Sequence, residues 1–129
     1  MAHVLIAEDD ESVRSFVTRA LERDGHRVTA VADGRAALEA LARQPGGIDL
    51  VLADIVMPEL DGIALALMLA KDYPDLPILL MTGYAAERQR AHNLEALIHD
   101  VVTKPFSLDQ ICETTRRVLA QHARSTRMH

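Results

Sequence analysis

At 129 residues the chain is long enough for one domain with a proper core. Hydrophobic residues make up 49% and charged residues 26%, the balance of a globular chain and not of a disordered one. A formal net charge of -5 gives no general attraction to nucleic acid or to an anionic membrane surface, and no apolar run approaches the roughly 20 residues of a membrane span.

The first apolar run, 3–8, is too short for a helix and reads as a buried strand. Val13, Phe16, Val17, Ala20 and Leu21 then fall on one helical stripe, with Ser12 as a cap near its start and Gly25 as its stop. RVTAV at 27–31 forms a second strand. Ala36, Ala37, Leu38 and Leu41 mark a helix that ends before Pro45-Gly46-Gly47. The run 48–53 is continuously apolar, as expected of a strand covered on both faces. A loop over 54–62 leads to a helix at about 63–72, stopped before Pro74. Strands are expected at 77–82 and about 100–103, with a helix over 85–97 between them. A last helix spans about 108–121. Residues 123–129 read as a flexible tail behind a single domain at 1–122. Five βα units with right-handed crossovers make an α/β fold, a doubly wound parallel sheet with helices on both faces.

The strand ends carry the chemistry. The apolar runs finish in Glu8-Asp9, in Asp54, in Thr82 and just before Lys104. In a parallel sheet these ends share one edge, where ligands bind at the switch in strand order. Like charges 4 Å apart repel by about 4 kcal/mol at an effective dielectric of 20, so three gathered carboxylates must bind protons or recruit a cation. Oxygen ligands with room for water suit Mg²⁺ (or Mn²⁺), and such an ion suits phosphate chemistry. The reaction supported is attack of the Asp54 carboxylate on a phosphoryl donor, giving an aspartyl phosphate. Lys104 would screen the acids in the empty state and meet a phosphoryl oxygen in the loaded one. Pro105 restricts its backbone, and a cis bond there would aim the lysine inward. Thr82 adds a hydroxyl, and Gly83 allows an anion close to the backbone. Cys112 is expected to be a small packing residue on the last helix. The six histidines lack metal-ligand spacing and read as surface or boundary residues.

With these motifs in place, namely Glu8-Asp9, Asp54 followed by MPELDG, MTG at 81–83 and KPF at 104–106, residues 3–121 resemble a receiver domain of the two-component response regulators. The resemblance implies a flavodoxin-like fold of strand order 2-1-3-4-5 with Asp54 as phosphoacceptor. It further implies Mg²⁺ held by Asp9, Asp54 and the backbone carbonyl of Val56, with Glu8 acting mainly through water and Asp10 a bystander. Its partners would be a sensor histidine kinase or a histidine phosphotransferase, and a downstream protein bound on the face of residues 85–121. The chain would accept phosphate without being an enzyme, in the cytoplasm, with no nucleic acid or membrane partner. The family often carries Tyr or Phe three residues before the lysine; here Val101 stands there, and Tyr84 is the candidate to take part of that switching role. IAEDD, LADIVMPELDG and MTGYAA are similar to CpdR-type single-domain receivers, which act in a phosphorelay and prime a ClpXP-type protease when unphosphorylated. A phosphorelay intermediate, a CheY-like binding module and a pseudo-receiver are the alternatives.

Two other classes fail on the residues. A haloacid-dehalogenase phosphatase needs an Asp two residues after the nucleophile, where this chain has Val56. A flavodoxin needs a hydroxyl- and glycine-rich phosphate loop after the first strand, where this chain has EDDES, whose charges would repel a phosphate.

Overall fold

The computed structural model describes residues 2–83, 89 and 100–127, with 123–127 as backbone only. In chain order the elements are β1 (His3–Ala7), α1 (Glu11–Arg23), β2 (Arg27–Val31), α2 (Gly34–Arg43), β3 (Leu50–Asp54), α3 (Gly62–Asp72), β4 (Ile78–Thr82), β5 (Asp100–Thr103) and α4 (Leu108–Arg127). The expected helix over 85–97, and Tyr84 with it, lie outside the described residues.

All five strands run parallel in the order β2-β1-β3-β4-β5, the expected topology. The alternation of side chains along each strand divides the core in two. Leu5, Ala7, Val51, Ala53, Ile78 and Leu80 face α2 and α3, whereas Val4, Ile6, Leu50, Leu52, Leu79 and Met81 face α1 and α4. That is why β1, β3 and β4 read as unbroken apolar runs: both of their faces are covered. β2, on the edge, is only partly buried.

Four local expectations need correction. The cap of α1 is Asp10, not Ser12: its Oδ1 accepts from the backbone N–H of Ser12 at 2.9 Å and of Val13 at 3.2 Å. Ser12 already lies in the first turn, so its hydroxyl cannot serve the donors ahead of it. Phe16 is 41% exposed, because it sits at the margin of the α1 stripe and leans on Phe106 instead, ring centroids 6.4 Å apart. His3 is buried in β1 with its Nε2 2.7 Å from Thr29 Oγ1, a structural histidine. The last helix, expected to end at about 121, continues to Arg127. No glycine or proline follows Val118 to stop it, and alanine and arginine propagate a helix well.

Cys112 does pack on α4 as expected, buried, with its Sγ 3.4 Å from the Ala20 carbonyl. Among the described residues no helix is long and apolar enough to cross a membrane.

Candidate functional site

The carboxyl edge of the sheet gathers the expected residues. Glu8 follows the last residue of β1, and its N–H donates to Val31 O on β2 at 3.1 Å. Asp54 is the last residue of β3, the central strand, and Thr82 the last of β4. Lys104 follows β5 directly, and its N–H donates to Thr82 O at 2.7 Å, which ties the ends of β4 and β5 together. The Lys104-Pro105 peptide is cis.

Lys104 Nζ donates to Glu8 Oε1 at 2.6 Å and to Asp54 Oδ2 at 3.0 Å. One ammonium group therefore holds two acids that are 46 residues apart in sequence. Glu8 is fully buried, Asp54 is 7% exposed, and Asp9 is exposed. Oxygens of Glu8, Asp9 and Asp54 all lie within 4.8 Å of one another. The cleft between them has a volume of about 720 Å³. Glu8, Asp9, Asp54, Val56, Gly83 and Lys104 line it, and Val13, Phe16, Pro105 and Phe106 supply an apolar side.

The electrostatics follow from this packing. Burial pushes the Glu8 carboxyl up from its ordinary 4.5 to about 7; Lys104 opposes the rise and the neighbouring Asp54 adds to it. Burial also works against the Lys104 ammonium, but the hydrogen bonds to Glu8 and Asp54 outweigh it, and the lysine pKa is raised. Both shifts favour the protonated forms: burial holds the proton on Glu8, and the two neighbouring acids hold it on Lys104. An all-oxygen donor set, closed on the Glu8 side and open at Asp9, fits a hard divalent cation that keeps some of its water.

The loop between β3 and α3 is built to hold Asp54. A Cβ on Gly62 would collide with Asp54 O and come within 2.9 Å of Ile55 Cα, so only glycine fits. Val56 is 52% exposed on the cleft. Gly83 differs: among the described residues, a Cβ there would meet Lys104 Cβ at 3.9 Å, an ordinary van der Waals contact. Val101 is half-buried against the core on the α2–α3 side.

Two contributors escaped the sequence reading. Asp10, expected to be a bystander, caps α1 and donates its own N–H to Glu8 Oε2 at 3.2 Å. Arg14 reaches back from α1 to donate from Nη1 to the Glu8 carbonyl at 2.8 Å. The available signal was geometric: a long helical side chain lies over the turn N-terminal to its own Cα.

A sequence profile described as the response regulator receiver domain matches residues 4–116. The response regulator receiver protein CpdR of Brucella abortus is 39% identical over 119 residues, covering 92% of this chain and 98% of that protein. The sensor kinase CckA of the same organism is 40% identical over 119 residues, although the match is only 12% of its length. In structure, NtrX of Brucella abortus superposes with a TM-score of 0.90 at 26% identity, over 98% of this chain and 29% of that one. A receiver domain protein from Clostridium thermocellum shares the fold, with a TM-score of 0.85 at 19% identity over 94% of this chain and 96% of that one. The profile covers most of the chain and contains the whole carboxyl-edge cluster, so this chain belongs to the response regulator receiver family of two-component signalling.

Proposed function

We propose that this receiver accepts a phosphoryl group on Asp54 from a phosphohistidine of a sensor kinase or a histidine phosphotransferase. The observation that carries the reading is the single hydrogen-bonded unit of Glu8, Lys104 and Asp54, with Asp9 beside it. An Asp54 carboxylate oxygen forms the new P–O bond as the donor's P–N bond breaks, and the electron pair leaves with the imidazole. Mg²⁺ (or Mn²⁺), when held by Asp9, Asp54, the Val56 carbonyl and, through water, Glu8, supplies charge neutralisation for the transferring group. Lys104 offers its ammonium to a phosphoryl oxygen, and Thr82 its hydroxyl. No histidine base is required, because a carboxylate is already a nucleophile.

Output follows from the tie between β4 and β5. The phosphoryl group adds about -1.5 to -2 charges near neutral pH. Lys104, now held by Glu8 and Asp54, is drawn to it. Thr82, whose carbonyl accepts the Lys104 N–H, moves in concert. This biases the face of residues 85–121, where a protein partner docks. Val101 is too small for the usual aromatic movement, which puts the weight on Thr82 and the residues after it. Of the partners implied by the resemblance, a ClpXP-type protease is favoured by the match to a CpdR protein over 98% of that protein's length.

Intact-mass measurement after incubation with a small phosphodonor tests the reading. One phosphoryl mass should appear with Mg²⁺, none without it, and none in Asp54→Ala. An equal gain in Asp54→Ala, or a gain independent of the cation, would overturn it.

A further inference from the structure

Asp9 is the weakest point in the site as built. Its carboxylate is exposed, and among the described residues it makes no hydrogen bond or ion pair. Glu8 and Asp54 are held in place by Lys104; Asp9 is not. Its position is set by the backbone that carries it, the span from Glu8 to Asp10.

That span is pinned at both ends. Glu8 N–H donates to Val31 O, and the Asp10 carbonyl accepts from Arg14 N–H at 2.9 Å in the first turn of α1. The Glu8 carbonyl, just beyond the sheet ladder, is bound by Arg14 Nη1. Arg14 thus grips the span twice, through its backbone and through its guanidinium, and it is half-buried. Its own carbonyl accepts from Thr18 Oγ1 at 2.7 Å, which fixes the turn it stands on. Arg14 does not line the cleft. It acts from behind.

The structure assigns Arg14 as a positioning residue for the cation site: by clamping the Glu8 carbonyl to α1, it fixes where Asp9 presents its carboxylate. This rests on the proposal that the three acids hold a divalent cation. The reasoning is preorganisation. A ligand held by one mobile stretch of backbone must be ordered when the cation binds, and partners that orient a ligand typically account for 10- to 100-fold in metal affinity.

A second role for Arg14 predicts the opposite sign. If it acted only as a positive charge near the acids, it would compete with the incoming cation, and its removal would tighten binding. Mn²⁺ titration of the full chain, read by the electron paramagnetic resonance of the free ion, separates the two. Arg14→Met should bind Mn²⁺ about tenfold more weakly, and Arg14→Lys, which keeps a donor, should recover much of the loss. In an Asp9→Asn background the same Arg14→Met change should have little further effect, because the effect runs through Asp9. In metal-free protein, the Asp9 and Asp10 amides of Arg14→Met should exchange with solvent faster, while amides of β4 stay as in the wild type. If Arg14→Met does not fold, Arg14→Leu, also neutral and without a donor, replaces it.

Unchanged or tighter binding in Arg14→Met, with wild type binding normally, overturns the assignment alone. A full further loss in the Asp9→Asn background also overturns it, since Arg14 would then act on the fold at large. Failure of the wild type to bind Mn²⁺ overturns the cation site and the assignment with it.

Discussion

The buried carboxyl of Glu8 makes metal-free stability depend on pH in an unusual direction. Its pKa in the folded chain, about 7, lies above the ordinary 4.5 it regains on unfolding. Between those values the folded chain binds more protons than the unfolded one, so stability falls as pH rises through the window. The contribution is fully present below the unfolded value and gone above the folded one. A rise from 4.5 to about 7 corresponds to about 3 kcal/mol at most. Domains of this size are stable by only about 5–15 kcal/mol, so the effect is large enough to measure. Urea denaturation in the presence of a chelator, between about pH 5 and about pH 8, is the assay. Wild type should be compared with Glu8→Gln, so that the contributions of all other ionisable groups cancel. Wild type should lose up to about 3 kcal/mol more than the variant across the window. A difference that stays constant with pH to within about 0.5 kcal/mol would refute the reasoning: Glu8 would then be ionised throughout, with Lys104 overriding burial.

Three further outcomes follow from local geometry. Gly62→Ala should destabilise the chain by about 1–3 kcal/mol in urea melts, because the new Cβ has nowhere to go beside Asp54 O. Asp9→Asn should weaken Mg²⁺ binding more than Asp10→Asn in a titration, whereas Asp10→Ala should cost about 1 kcal/mol of stability through the lost cap; equal effects on Mg²⁺ would mean that Asp9 is no more a ligand than Asp10. Glu59 adopts φ 67, a left-handed conformation that glycine favours. Glu59→Gly should therefore cause no loss of stability and a gain of up to about 1 kcal/mol, while Glu59→Val should lose stability in the same melts.

Much of the fold was legible because the three inner strands are covered on both faces. Sequences such as HVLIA, IDLVLA and PILLM have little choice but to be buried, and parallel crossovers then dictate the layers. The carboxyl-edge cluster was legible for the same reason: Glu8, Asp54, Thr82 and Lys104 each follow such a run. What escaped was set by neighbours that a single strand or helix does not reveal. EDDES offers several capping side chains in a row, and only the position of the first helical turn selects Asp10. His3 looks like a polar strand start until Thr29 is found beside it on β2. The reach of Arg14 to the Glu8 carbonyl depends on how α1 lies over the end of β1. The end of α4 has no stop signal, so the sequence placed it too early.

The contact between Lys104 and Glu8 spans 96 residues, most of the chain. It has a consequence for a molecule that is still being made. A nascent chain that has emerged only through β4 already carries Glu8, Asp9, Asp54 and Thr82, but not the lysine that binds two of the acids. Such a fragment lacks the ammonium that hydrogen-bonds both Glu8 and Asp54 in the finished chain. If Asp54 is the phosphoacceptor proposed above, the full cluster that serves it is assembled only once the segment after β5 has been made.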